Sequence, residues 1–230
     1  MKTCLVFGGN GAIGSAIADL FRSLDYTVWT TTRGDSSDDD HQVQIVGDPQ
    51  VDRAFIANLP KLDVVVWAQG VNQNDSILDV DIARLSQVIE ANTVFVATTM
   101  NMLLSAGSLK DGSRLCVISS IWEEITRGNK LSYSISKAAI GALVRSAAID
   151  LSTRGIYVNA VLPGVLDTPM TRSVLSQKQL DNVESATGFN RLVTPLEIAQ
   201  VVEFLCSESN NGISGQSIVV DLGFSHAKQI

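Results

Sequence analysis

Histidine is nearly missing from this chain, which holds only His41 and His226. That leaves almost no material for a histidine zinc site or a Ser-His-Asp triad. Cysteine is scarce as well. Cys4, Cys116 and Cys206 stand apart in apolar surroundings, an odd count without ligand or pairing spacing. They read as reduced, buried thiols, not as a disulfide set or a metal site. Long hydrophobic runs are absent: the best, Leu62 to Ala68, is broken by Asp63 and is far too short to span a bilayer. Met1-Lys2 precede only a few apolar residues before the first glycine, so no signal-peptide core is seen and the expected compartment is cytoplasmic. Positive charge is in deficit, with 17 Lys and Arg against 24 Asp and Glu and a net charge of -7. Such a balance disfavours nucleic acid and anionic membranes as partners. It does not exclude a small anionic cofactor, which responds to local charge.

What remains is an ordinary globular balance, 45% hydrophobic and 18% charged, over 230 residues, enough for one catalytic domain spanning 1–230. The chain opens with a β-rich apolar run, Thr3 to Phe7. Gly8-Gly9-Asn10-Gly11-Ala12-Ile13-Gly14 follows, then an amphipathic stretch from Ser15 to Leu24. Gly9, Gly11 and Gly14 spell GxGxxG, and strand, loop and helix in that order are the context a dinucleotide fingerprint needs. Glycines let backbone approach a pyrophosphate, and the helix start offers unsatisfied N–H groups and a positive dipole end. The second strand, Tyr26 to Thr32, ends at Arg33. An acidic residue there holds a ribose 2'-hydroxyl, whereas an arginine accommodates a 2'-phosphate. Thr32-Arg33 therefore points to NADP(H), with NAD(H) the alternative if Arg33 is only a solvated loop residue. Asp38-Asp39-Asp40 reads as a solvated loop. Asp48, past a short strand from Val43 to Val46, is placed for an adenine-edge contact.

Pro49 to Leu59 reads as a short helix, and Asp63 to Ala68 as a strand buried on both faces of a parallel sheet. It ends at Gln69-Gly70, where Gly70 lets a cofactor pass close by. Asp79 to Leu104 is helical by pattern, with Asn92 inside it, an unfavourable place for asparagine unless its side chain is needed. Leu115 to Ile118 is a further strand, Ile156 to Leu162 another closed by Pro163-Gly164, and Ile213 to Val220 the last. Pro195 starts a helix that runs to Cys206. Alternating strands and helices predict a doubly wound, Rossmann-type parallel sheet of six to seven strands with helices on both faces. Thr168 to Asn190, half-apolar with Met170, Leu175 and Phe189, reads either as a substrate lid or as a surface helical hairpin.

The chemistry concentrates between Ser120 and Lys137. Tyr133 and Lys137 are four residues apart, so a helix places them on one face, one turn from each other. A tyrosine with its ordinary pKa of about 10 is a poor acid–base group at neutral pH, and a nearby lysine cation is expected to lower it. Ser120 ends the apolar strand thirteen residues earlier, where a hydroxyl and a phenol can meet one substrate oxygen. Trp122 is either a flat pocket wall or core.

Together these residues resemble the short-chain dehydrogenase/reductase family over essentially the whole chain. Two departures stand out. Phe7 takes the place of the glycine loop's usual threonine, with Ala12 for its middle glycine. Trp67-Ala68-Gln69-Gly70 replaces the usual Asn-Asn-Ala-Gly. Leu222 also stands where the family has a glycine. The resemblance implies a catalytic tetrad of Asn92, Ser120, Tyr133 and Lys137, with Tyr133 as proton donor or base and Ser120 polarising the substrate oxygen. Lys137 would tune Tyr133 and bind the nicotinamide ribose, and Asn92 would hold a relay water. Gly8, Asn10, Gly11, Ala12, Ile13 and Gly14 would take the pyrophosphate. Pro163-Gly164-Val165 and Thr168 would cradle the nicotinamide amide. Trp122, Met170, Leu175 and Phe189 would line a pocket for a small-molecule carbonyl or alcohol substrate. Arg172, Arg127 and Lys130 stand near it in sequence as partners for an acidic group. A homotetramer or homodimer through the Asn92 and Tyr133 helices is implied, and a catalytically weak sensor or scaffold is the alternative class.

Overall fold

The computed structural model describes residues 1–32, 42–44 and 53–227. Arg33, Asp38-Asp39-Asp40 and Asp48, singled out above, lie outside the described residues, as does the start of the helix expected from Pro49. Among the described residues, seven parallel strands form one sheet in the order β3-β2-β1-β4-β5-β6-β7. They are β1 Thr3–Phe7, β2 Thr27–Thr32, β3 Gln42–Gln44, β4 Leu62–Trp67, β5 Leu109–Ile118, β6 Tyr157–Pro163 and β7 Ser217–Val220. The expected doubly wound sheet is therefore present, at the upper end of the expected strand number. Its order reverses between β1 and β4, and in such sheets ligands sit beyond the carboxyl ends at that switch point. Gly8 and Ala68 follow those two strands directly.

Strand alternation divides the core into two layers. Leu5, Phe7, Val65, Trp67, Leu115 and Val117 face one side of the sheet, where Ile140 and Val144 of helix α5 (Leu131–Asp150) pack. Cys4, Val6, Val64, Val66, Cys116 and Ile118 face the other. There α1 (Ala12–Ser23) and α8 (Pro195–Cys206) contribute Ile17, Ala18, Phe21, Ile198, Ala199 and Val202. All three cysteines are free and buried, as their apolar settings predict. The α8 boundary agrees with the sequence reading because Pro195 sits in the first turn and Thr194 forms a capping box with Glu197.

Four boundaries shift. β5 begins at Leu109, six residues earlier than expected, through a polar bulge where Gly112 has φ +80°. Arg114 and the residues after it then resume regular pairing with β4. β7 is shorter than expected, because Gly215 at φ +73° interrupts the run from Ile213. α1 begins earlier than Ser15, inside the glycine loop. The long helix from Asp79 divides into α3 (Ile82–Ile89), a π-helical turn (Glu90–Val94) and α4 (Phe95–Ser105). Asp81 caps α3 by accepting from the backbone N–H groups of Ala83 and Arg84. A short α2 (Arg53–Asn58) precedes β4, and α6 (Pro169–Val174) and α7 (Gln177–Ala186) follow β6. No helix among the described residues is long and apolar enough to cross a membrane.

Candidate active site

The glycine loop closes on itself at the end of β1. Gly8 has φ +81°, and a Cβ there would sit 2.8 Å from the Gln69 backbone nitrogen. A Cβ on Gly14 would lie 2.9 Å from the Gly8 carbonyl carbon and nearer still to its oxygen. Neither neighbour is a flexible side-chain tip, so backbone would have to move. Asn10, Gly11 and Ala12 remain exposed at the mouth of the loop, with Ile13 half-buried behind them. Gly11 supplies no side-chain cap to α1, and no acidic residue lies in its first turn. The bare N–H groups of that helix start are what a pyrophosphate requires. Beside them the Gln69 side-chain amide is buried with no hydrogen-bond partner on either atom, a group suited to meet a ligand. Overpacking costs about 1–3 kcal/mol. Gly14→Ala is accordingly expected to lower the urea unfolding midpoint by that free energy with the slope unchanged, and to weaken cofactor binding.

The two aromatic departures from the family pattern are one packing solution. Phe7 and Trp67 are register partners on β1 and β4, and their rings stack at 5.7 Å with an interplanar angle of 11°. Phe95 meets Phe7 edge-on at 5.6 Å, and Trp67 Nε1 donates to Thr99 Oγ1 at 2.8 Å. Aromatic contacts with one satisfied donor thus occupy strand ends where the family carries polar side chains.

Asn92 lies in the π-helical turn, 2% exposed. Its Oδ1 accepts from Val71 N at 2.8 Å, and its Nδ2 donates to Val71 O and to Ser136 Oγ, each at 2.9 Å. The extra residue of a π turn re-aims this side chain. One amide thereby ties the loop after β4 to α5.

Ser120 ends the extended backbone after β5 and starts a 3-10 turn, its Oγ accepting from Trp122 N at 3.3 Å. Ser136 and Lys137 lie on the buried face of α5 with Ser132. Ser120 lies close enough to Tyr133 to favour its ionised form, so the strand-end hydroxyl and the phenol are neighbours. Lys137 Nζ donates to Ile118 O at 3.0 Å and lies 5.6 Å from the Tyr133 ring centroid. A Cβ on Gly70 would stand 3.2 Å from Asn92 Oδ1 and 3.7 Å from Lys137 Nζ, so Asn92 and Lys137 come together at this loop.

The electrostatics depart from the expected sign. Burial pushes the Tyr133 phenol above its ordinary value, and Ser120 only partly offsets this. Burial also pulls the Lys137 amine down to about 8. Desolvation is the largest influence on both residues.

Glu123, which the sequence reading passed over, acts on Lys137. Its carboxylate lies along α5, where its Oε1 and an Arg145 nitrogen fill the space a Gly141 Cβ would need. Gly141 is one turn from Lys137 on that helix. Ser217 Oγ donates to Glu123 Oε1 at 2.6 Å. Burial raises the carboxyl above its ordinary value, opposed by Ser119, Ser217 and Arg145, and its charge in turn favours the protonated Lys137. A carboxylate three residues past Ser120 was the available signal.

Of the other expected site residues, Thr32 is the last residue of β2 and Met170 belongs to α6. Pro163 closes β6, Gly164 N donates to Val220 O at 2.9 Å, and Val165 is half-buried beyond it. Thr168 Oγ1 caps α6 by accepting from Thr171 N at 3.1 Å. Trp122 is half-buried with the Arg127 guanidinium 5.9 Å from its ring, and Leu175 is half-buried at the end of α6. Phe189 is 66% exposed. The 168–190 segment is two short helices, the second held by a Ser176–Gln179 capping box. Leu222 has φ 55°, the left-handed geometry that a glycine adopts without strain. Asp221 stabilises this turn by accepting from Gly223 N at 2.9 Å and Ser225 N at 2.7 Å.

The Enoyl-(Acyl carrier protein) reductase family model matches residues 9–225. The 3-oxoacyl-[acyl-carrier-protein] reductase MabA of Mycobacterium tuberculosis is 30% identical, over 98% of this chain and 94% of that protein. The cis-4-hydroxycyclohexanecarboxylate dehydrogenase of Sinomonas cyclohexanicum is also 30% identical, over 94% of this chain and 85% of that protein. Among solved structures, a short chain dehydrogenase family protein from Francisella tularensis superimposes with a TM-score of 0.87 at 27% identity, covering 98% of this chain and 99% of that one. Thermoplasma acidophilum aldohexose dehydrogenase, at 24% identity and a TM-score of 0.89 over 100% of this chain and 96% of that one, shares the fold. With the glycine loop, the π-helical Asn92 and the Ser120–Tyr133–Lys137 group in one place, this chain belongs to the short-chain dehydrogenase/reductase family of oxidoreductases.

Proposed function

We propose that the protein is an NADP(H)-dependent oxidoreductase that interconverts a carbonyl and a secondary alcohol, with Tyr133 as the proton-transfer group. The observation that carries this reading is the Tyr133 phenol set beside Ser120, with buried Lys137 one turn along α5 donating to Ile118 O at the carboxyl end of the sheet. The cofactor, when bound, supplies or accepts the hydride. Gly8 to Gly14 would hold its pyrophosphate, Lys137 its ribose, and Pro163 to Val165 with Thr168 its amide end. Arg33, which follows β2 in the sequence, favours the 2'-phosphate.

The chain's own residues do the rest. Ser120 holds the substrate oxygen and stabilises charge that develops on it. Tyr133, protonated at neutral pH, is poised to donate to that oxygen in reduction, and as the phenolate would accept the proton in oxidation. Both named relatives fit this class: one is called a 3-oxoacyl reductase, and the other acts on a ring carrying a hydroxyl and a carboxylate. The whole chain works as one catalytic domain in the cytoplasm. Exposed Ile82, Val94, Ile135 and Ile149 on α3, its π turn and α5 support assembly into a homodimer or homotetramer.

Parallel fluorescence titrations with NADPH and NADH, followed by NADPH oxidation with a carbonyl panel, test the proposal. The expected result is tighter binding of NADPH and reduction of at least one carbonyl. Binding of neither nucleotide would refute it, and a clear preference for NADH would overturn the role of Arg33.

A further inference from the structure

Three basic side chains border the site, and they differ in what neutralises them. Arg172 grips Asp167 through two hydrogen bonds of 2.6 and 2.9 Å, so the expected encounter with an acidic ligand is already taken by an acidic neighbour. Arg127 lies against Trp122 and donates to Gly128 O at 3.2 Å. Lys130 is another matter. It is 5% exposed, and among the described residues its Nζ has one hydrogen-bond acceptor, Asn72 Oδ1 at 2.6 Å. The acidic group that bears on it, Asp75, makes no ion pair with it and directs its two oxygens to the Ser132 N–H and the Ser132 hydroxyl.

An ammonium has three donors, and a buried charge is costly unless it is paired. Burial and the field of Arg127 press Lys130 toward its neutral form, and the Asp75 charge only partly opposes them. The same Nζ stands 5.4 Å from the Tyr133 ring centroid, about as near as Lys137 at 5.6 Å. A second cation, with one hydrogen-bond acceptor and no ion pair among the described residues, is therefore fixed beside the tyrosine. The chain's net charge of -7 gives no general attraction for anions, so an anion drawn here is drawn by this group.

We propose that Lys130, aimed by Asn72, is a specificity subsite for a carboxylate on the substrate. The substrate class is then oxo acids and the hydroxy acids they are reduced to, with the acidic group a short distance from the reacting carbonyl. This rests on the reading that Tyr133 marks the reacting oxygen. One ammonium and one amide match a singly charged carboxylate. A phosphate ester, with about two charges and three acceptor oxygens, would leave most of its acceptors unmet.

The test compares acids with their own methyl esters, using acetoacetate and 4-oxocyclohexanecarboxylate. Each is titrated calorimetrically into the protein with NADP+ present, and each is assayed by NADPH oxidation. The wild type is expected to favour acid over ester by at least about tenfold. In Lys130→Met that ratio falls to about one through loss on the acid alone, with ester and nucleotide binding unchanged, whereas Lys130→Arg keeps the preference. Should Lys130→Met fail to fold, Asn72→Ala is expected to reduce the same ratio. Equal binding of acids and esters by the wild type, or an acid preference that survives Lys130→Met, overturns the proposal. A uniform weakening of acid and ester together overturns it too, since that marks a merely structural lysine. If acids bind preferentially but neither carbonyl is reduced, the subsite stands and the reductase reading fails.

Discussion

Tyr133→Phe is expected to lower turnover by about 10²- to 10⁴-fold, the usual worth of a positioned general acid. The change removes one hydroxyl and leaves the ring. Tyr133 lies on α5 beside Ser120, and Lys130 and Lys137 lie against its ring, so packing survives. Nucleotide affinity is expected to stay nearly unchanged, because the glycine loop and α1 are untouched. The measurement is a single-turnover rate alongside a fluorescence titration of the same preparation. Undiminished turnover would remove Tyr133 from the chemistry. A parallel loss of nucleotide binding would mean that it serves structure or cofactor, not proton transfer.

Lys137→Met is expected to make the ligand-free protein more stable at neutral pH while abolishing most activity. Burial holds the Lys137 amine at about 8, below the ordinary 10.5. The unfolded chain therefore binds this proton more tightly than the folded one. Stability contributed by the group rises as pH goes from about 8 toward 10.5, and the full penalty applies below about 8. A shift of that size corresponds to roughly 3 kcal/mol. Losing the hydrogen bond to Ile118 O takes back about 1 kcal/mol, so the net gain at pH 7 is about 2 kcal/mol. Urea unfolding of both proteins at pH 7 and again at alkaline pH checks this. The variant's advantage should shrink as pH rises through that window, and a variant less stable than wild type at pH 7 would refute the account. Lys137 is thus held at a cost in folding free energy.

Most of the architecture could be read from residues because it follows local rules. The Leu62–Trp67 strand has to be apolar on both faces, and α8 announces its start with Thr194, Pro195 and Glu197. Ser120, Tyr133 and Lys137 were legible as a group because helical spacing and a strand end fix their meeting. What escaped depends on tertiary surroundings. The first half of β5 is polar, so a search for apolar runs passes it by. Asn92 could be flagged as misplaced in a helix, but the π turn that accommodates it comes from contacts with Val71 and Ser136, distant in the chain. The sign of the Tyr133 shift was missed for a related reason. Spacing reveals a neighbouring charge, whereas desolvation is a property of everything packed around the pair. Phe7 and Trp67 looked like two separate losses from a family pattern. Only their register on adjacent strands makes them one substitution.

The Glu123–Gly141 contact constrains how this protein can change over generations. Glu123 fills the volume that any side chain at position 141 would claim, and does so beneath the lysine whose proton it helps retain. The two positions cannot drift independently. A lineage that loses the carboxylate first opens room at 141 and can then acquire alanine there, whereas alanine arriving first forces Glu123 from its site. Descent therefore has a preferred order of steps, and in relatives that carry a larger residue at the position of Gly141 the counterpart of Glu123 should be smaller or turned away.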